Sequence, residues 1–212
     1  MITLPVPSHL QLRKEPKQKR TQALLANILD TTASLVREQG YQAVNTNLIA
    51  ERAQIDIKSL YEFFPNKESI LYKLADDWLL GLREKCVSFE QECFQDLSWR
   101  DYFAMIHQNV TADASYSAHF ISLHGLWDLL PDFSRLDEFH QKFVTQFYLR
   151  QLKRLGCVAP IKQQKNLCLF MLALEDGIGA NLVELSTTQR KALWQMQFET
   201  LCFHLEKIMP SD

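Results

Sequence analysis

The sequence is poor in the residues that interrupt helices: its 212 residues hold only 6 glycines and 7 prolines. That excludes collagen-like repeats and Gly/Pro-rich disorder. Long apolar runs are also missing. The longest unbroken one, Leu167 to Leu174, falls far short of the roughly 20 residues a membrane span requires. Residues 1–10 show neither a basic n-region nor an apolar h-region and carry Pro5 and Pro7, so no export signal is read there. The expectation is a cytoplasmic protein with no membrane partner. Cysteines are few, odd in number and widely spaced (Cys86, Cys93, Cys157, Cys168, Cys202), which reads as free thiols buried among apolar residues rather than a disulfide framework. No C-x-x-C or H-x-x-x-H pair occurs, and no metal or other cofactor is expected. The G-x-S-x-G elbow, the phosphate-cradling glycine loop and the HExxH helix are absent too, so the expected answer to catalysis is no.

What is present is apolar material at 47%, with 11% aromatic and 23% charged residues, enough for one large or two small cores. Apolar residues recur at helical spacing and β-branched runs are few, so an all-α fold is expected. The net charge of −2 hides an asymmetry. Residues 1–73 hold 10 Lys/Arg against 7 Asp/Glu, a balance of +3, whereas residues 74–212 hold 13 against 18, a balance of −5. A modestly basic head on an acidic body is compatible with a DNA-binding module attached to a domain with another task.

Along the chain, residues 1–16 read as a flexible arm, with three prolines and no period. A helix is expected from Lys17 to Gln39, carried by Leu24/Leu25, Ile28/Leu29, Thr32 and Leu35/Val36 and stopped by Gly40. Arg13, Lys14, Lys17, Lys19 and Arg20 crowd its entrance, either as a solvated basic arm or as phosphate contacts. Asn45 can cap a short second helix through Ala53, and Asp56 a third through Ser59 to Phe63. Pro65 then ends that helix, and Asn66 opens a long fourth one with apolar positions Ile70, Leu71, Leu74, Trp78 and Leu82. Three short-linked helices followed by a long one form a helix-turn-helix plan, which divides the chain into a DNA-binding domain at residues 17–65 and a helical body at 66–212. Five further helices are expected, at Trp99–Asp113, Ser115–Leu130, Pro131–Leu155, Lys162–Leu185 and Thr187–Met209.

DNA reading needs a short rigid helix whose first turn enters the major groove and a second helix across the backbone to hold it there. Residues 45–67 supply both. Ile49, Ala50, Ala53, Ile55 and Leu60 are spaced to form the small core between them, leaving Thr46, Asn47, Ile57, Lys58, Ser59 and Tyr61 to face outward. Phe63 and Phe64 suit the core, as aromatic side chains mostly do.

This stretch resembles the DNA-binding head of the TetR family of bacterial transcriptional regulators. The resemblance rests on Gly40-Tyr41 closing the first helix, then Thr46, Ile49, Ala50 and Ala53 in T-x-x-I-A-x-x-A, then Ser59, Leu60, Tyr61, Phe63, Phe64, Lys67 and Glu68. It covers about residues 20–75. Two departures stand out: Gln54 where the family usually has Gly, and Lys58 where it has Gly or a small residue. An ordinary negative φ is expected at Gln54. Phe63 stands where Tyr or His is common and removes one phosphate hydrogen bond.

The resemblance implies a ligand-responsive repressor that binds a palindromic double-stranded DNA operator as a homodimer and is released by a small-molecule effector. It implies that Thr46 and Asn47 lie against the backbone or groove edge. Ile57, Lys58 and Ser59 open the recognition helix, with Lys58 donating to guanine O6/N7. Tyr61 and Lys67 would meet phosphates.

For the body, small Ala173, Gly177 and Ala180 together with Leu193, Met196, Leu201, Leu205 and Ile208 are the expected dimer face; the same stripes would also serve an internal core. A mostly apolar ligand site is expected among Trp99, Phe103, Phe120, Trp127, Phe133, Phe139, Phe143, Phe147 and Phe170. His107, His124, Asp128, Glu175, Asp176 and Asn181 are its candidate polar groups, although a lone histidine in a bundle is more often hydrogen-bonded filler. An all-helical protein-interaction adaptor without DNA binding is the rival reading, and a cysteine-based redox sensor is a variant of the first.

Overall fold

The computed structural model describes residues 2–91, 97–111, 126–127, 130–180 and 185–210. Among them the fold is all-α, with helices α1 (Lys19–Gln39), α2 (Thr46–Arg52), α3 (Ile57–Tyr61), α4 (Lys67–Gln91), α5 (Trp99–Thr111), α6 (Pro131–Arg154), α7 (Ile161–Ala180) and α8 (Thr187–Leu205). The expected Ser115–Leu130 helix lies almost wholly outside the described residues. No helix among them is long and apolar enough to cross a membrane.

Local chemistry sets most boundaries. Gln18 and Thr21 form a reciprocal cap that starts α1 two residues later than expected, and Gly40 stops it at φ 76°. The Asn45 side chain accepts from the Leu48 N–H at 3.0 Å and Asp56 from the Lys58 N–H at 2.7 Å, each satisfying an orphan donor of a first turn. Asn66 does the same for α4, accepting from the Ser69 N–H at 2.7 Å. Ser186 and Gln189 make a capping box on α8. Helix α3 closes at Tyr61, earlier than the expected Phe63, because its last turn tightens into the Phe63 N–H to Leu60 carbonyl bond of 3.1 Å just ahead of Pro65.

The described residues form two compact units. The first is drawn from Met1–Gly81 and Ser122–Asp137, the second from Leu82–Ile121 and Glu138–Asp212, so α4 and α6 each contribute to both. In the first unit Ile28, Leu35, Val44, Ile49, Leu60, Phe63, Phe64 and Ile70 are buried, and Tyr72 meets Phe133 edge-on with centroids 5.5 Å apart. Burial of each such side chain contributes about 1.5–3 kcal/mol. The Asn27 side-chain amide, on α1, donates to the Ala53 carbonyl at 2.9 Å, so α1 holds the end of α2.

Residues 1–16 are expected to be a flexible arm, yet within it His9–Lys14 are fastened to this unit. Ser8–Leu10 forms a 3₁₀ turn, Leu10 is buried, and the Arg13 N–H donates to the Phe63 carbonyl at 2.8 Å. Composition could not reveal this, because the partners lie about 50 residues away in sequence.

The second unit has its own core of Phe89, Trp99, Tyr102, Phe103, Ile106, Phe147, Leu152, Cys168, Cys202 and Leu205. A polar chain crosses its edge. Tyr102 donates to Gln151 at 2.9 Å, Gln151 to Glu90 at 3.0 Å, and Arg150 binds the same carboxylate through two nitrogens at 2.6 and 3.2 Å. Arg83 is buried in this unit and faces the Phe139 ring at 5.2 Å.

Candidate nucleic-acid interface and ligand cavity

The turn between α2 and α3 is a Schellman motif. The Ile55 N–H reaches back to the Ala50 carbonyl at 3.0 Å and the Gln54 N–H to the Glu51 carbonyl at 3.1 Å. That pair of bonds requires a left-handed residue at position 54, and the expectation of an ordinary φ there is corrected: Gln54 stands at φ 56°. The same motif closes α6, where the Cys157 N–H meets the Leu152 carbonyl at 2.9 Å and Gly156 fills the left-handed position at φ 83°. The chain accepts the Cβ penalty at Gln54 because the turn sets the angle between the two helices.

Around this turn Thr46, Ile57 and Ser59 are half-buried, whereas Asn47 and Lys58 are exposed and Tyr61 is 38% exposed. The Thr46 and Tyr61 hydroxyls lie 2.9 Å apart, pinning the first turn of α2 to the end of α3. One of them donates within the pair, and the other keeps its proton for an outside acceptor. Lys67, the first residue of α4, is half-buried and donates to the Tyr41 carbonyl at 3.2 Å, leaving two ammonium donors. Among the described residues nothing walls off the start of α3. The basic cluster ahead of α1 divides. Arg13 and Lys14 make contacts within the first unit, Arg13 to the Tyr61 carbonyl at 3.0 Å and Lys14 to Glu62, while Lys17, Lys19 and Arg20 are exposed.

The second unit contains a largely apolar cavity of about 50 Å³. Phe103, Ile106 and His107 line it from α5, Tyr148 and Leu152 from α6, Leu167, Cys168, Met171 and Glu175 from α7, and Gln197, Phe198, Leu201 and Leu205 from α8. His107 stacks on Phe198 with centroids 5.1 Å apart. Burial lowers its pKa and so favours the neutral imidazole, an effect partly offset by a hydrogen bond with the Trp194 backbone. Burial pushes the Tyr148 phenol well above its usual range. The polar groups on the wall are therefore a neutral imidazole, a neutral phenol, an amide and the Glu175 carboxylate.

Of the residues expected to bind ligand, Phe103 and His107 line the cavity, and among the candidate polar groups Glu175 does. Trp99 and Phe147 belong to the surrounding core, Phe143 and Asp176 are half-buried elsewhere, and Phe170 faces outward at 44% exposure. Trp127 falls in the first unit. Phe120 and His124 lie outside the described residues, as do Asp128 and Asn181. The missed lining residues follow helical faces, for example 168 and 171 on α7, in register with Glu175, and 197, 198, 201 and 205 on α8. The signal was the i, i+3, i+4 spacing around the polar residues, which ring density obscured.

The stripe expected on α8 splits as well. Leu205 and Ile208 are buried and Leu201 lines the cavity, so these three serve the unit's own interior. Outward stand Met196 and Phe203 on α8 and Leu169 and Phe170 on α7, together with exposed Ala173 and Gly177. Two of the thiols, Cys86 and Cys168, sit where the thiolate is disfavoured. Burial, with Glu175 and Glu90 adding to it, pushes Cys86 up to about 12, and burial pushes Cys168 up to about 11. Among the described residues no group of three or more His, Cys, Asp or Glu could hold a metal ion.

Comparison with known proteins agrees with this geometry. The family described as "Bacterial regulatory proteins, tetR family" matches residues 28–74. The HTH-type transcriptional repressor KstR of Mycolicibacterium smegmatis is 34% identical over 71 residues, 34% of this chain and 33% of that protein. The match thus spans about a third of the curated relative's length. Among solved structures, a transcriptional regulator from Rhodococcus sp. Rha1 superposes with a TM-score of 0.69 over 89% of this chain and 99% of its own, at 14% identity. Salmonella enterica GusR gives 0.68 over 90% and 100%, also at 14% identity. At that identity the likeness speaks for the fold, across both units.

Proposed function

The chain belongs to the TetR family of bacterial regulatory proteins, and on that premise we propose that it is a transcriptional repressor that binds a palindromic DNA operator as a homodimer and is released by a mostly apolar small molecule. The observation that carries the reading is the α2–α3 pair, whose recognition helix opens on exposed Lys58 and ends on exposed Tyr61, cross-pinned to Thr46. Thr46, Asn47, Tyr61 and Lys67 take the phosphate backbone; Ile57, Lys58 and Ser59 take the groove.

One such module buries too little surface to hold a specific site, and two on a twofold axis read half-sites about 34–36 Å apart. The outward apolar residues Leu169, Phe170, Met196 and Phe203, on two consecutive helices, supply the pairing face, since exposed large apolar side chains gain by being covered. The effector enters the cavity between α5, α6, α7 and α8. At about 50 Å³ it is far smaller than the roughly 300–1,000 Å³ of occupied ligand sites, so entry must displace lining side chains, with flexible Met171 the readiest to move. That displacement is the work by which effector binding is coupled to DNA release, and a coupling of about 1–3 kcal/mol changes affinity about 5- to 150-fold.

Selection of duplexes by the full chain from a random pool tests the reading. Recovery of a palindrome, bound by a dimer with a steep salt dependence, is expected. Failure to bind any duplex in a salt-dependent way overturns it.

A further inference from the structure

The segment His9–Lys14 is fastened to the carboxyl end of α3 at several points. The Arg13 N–H donates to the Phe63 carbonyl at 2.8 Å and its guanidinium to the Tyr61 carbonyl at 3.0 Å. The Asn66 side chain donates to the His9 carbonyl at 3.4 Å. Lys14 pairs with the Glu62 carboxylate, and its ammonium lies 4.8 Å from the Phe63 ring centre. Carbonyls at the end of a helix lack intrahelical donors and attract cations, so Arg13 and Lys14 stand where that end requires them.

Glu62 has a second geometric relationship. Its N–H donates to the Lys58 carbonyl at 2.9 Å, which places it one helical turn beyond Lys58 on the same face. A carboxylate four residues after a lysine on one helical face lies within ion-pair reach of it, though the opposite order pairs more strongly. It would draw the Lys58 ammonium away from DNA and present a bare negative charge to the phosphates. In the structure the carboxylate is held by Lys14 instead.

We propose that Lys14 is a positioning residue of the reading head: by engaging Glu62 from the arm it leaves Lys58 for DNA and cancels the only carboxylate charge on that turn. The proposal rests on the DNA-binding reading above. It extends the working head beyond the helix-turn-helix to residues 9–14.

The test uses the full chain and the duplex its wild type selects from a random pool, titrated at several salt concentrations. K14Q is expected to bind about three- to fivefold more weakly, the scale of an exposed ion pair, with an unchanged salt slope. The double variant K14Q/E62Q is expected to return to within about twofold of wild type, because the charge that needed holding is gone, and K14R to match wild type. Two results overturn the proposal. One is K14Q with wild-type affinity. The other is a double variant as weak as K14Q with a slope reduced by about one unit, which makes Lys14 itself a phosphate contact. Wild type that selects no duplex overturns the DNA-binding reading and this proposal with it, whereas a binding wild type with an indifferent K14Q removes this proposal alone. Thermal melting of K14Q within a few degrees of wild type separates the effect from unfolding.

Discussion

The hydroxyl of Thr46 and the hydroxyl of Tyr61 sit 2.9 Å apart, joining the two helices proposed to dock on DNA. Y61F removes one partner at an exposed site where water satisfies the other, so the stability loss should stay at about 0.5–1 kcal/mol. On the role proposed for Tyr61, a phosphate donor, DNA affinity should fall about tenfold for every sequence. Urea unfolding and duplex titration measure the two. Affinity equal to wild type removes Tyr61 from the interface.

Gln54 and Gly156 occupy equivalent left-handed positions in two Schellman turns, and only one is a glycine. Q54G should therefore raise stability by about 0.5–1 kcal/mol, and Q54V should lower it by more than that, because a β-branched side chain tolerates positive φ least. G156A should cost about 1 kcal/mol through strain alone, as an added Cβ meets nothing nearer than Pro210 Cγ at 3.5 Å. A urea midpoint that drops in Q54G contradicts a strained turn.

Acid should weaken the fold through His140. Its Nδ1 is sealed from solvent with no hydrogen-bond partner among the described residues, and burial, with the nearby Arg83 charge, lowers its pKa from 6.5 to about 3. The unfolded imidazole takes up a proton below 6.5 while the folded one stays neutral, so the unfolded state binds more protons across that window. Stability is unaffected above about pH 6.5 and declines as pH falls towards 3, by roughly 2 kcal/mol at pH 5. Urea unfolding of wild type and H140Q at pH 7 and pH 5 checks this: the variant should show the smaller loss.

Thiol chemistry should be slow. With Cys86 at about 12 and Cys168 at about 11 against an ordinary 9.0, their thiolate fraction is depressed at least about a hundredfold. Iodoacetamide on the native protein, followed by mass spectrometry, should leave both unlabelled while half-buried Cys157 reacts. Rapid labelling of Cys86 or Cys168 would revive the redox-sensor reading.

What could be read from the chain alone was the chemistry that acts within a turn or two. Asn45, Asp56 and Asn66 each cap the helix expected of them, Gly40 ends α1, and the alternation of Ile49, Ala50, Ala53 and Leu60 builds the core between the reading helices. Contacts between distant segments left no such trace. The docking of Arg13 and Lys14 links positions 48 apart, and composition alone described those residues as an arm. At Gln54 the turn's hydrogen bonds outweighed the residue's own preference. In the second unit, counting aromatic rings favoured Trp99, Phe143 and Phe147, which belong to core or edge, over Met171, Gln197 and Leu201, whose helical register turns them to the cavity.

Asn27 lies in the first helix, yet its amide bonds the carbonyl of Ala53, the residue on which the second helix ends. On the proposed function, an abundant, folded variant altered at that one position should therefore regulate poorly while every surface proposed to meet DNA keeps its own side chains. A genetic screen for silenced control would recover it, and an inventory of contacts to the duplex would never predict it.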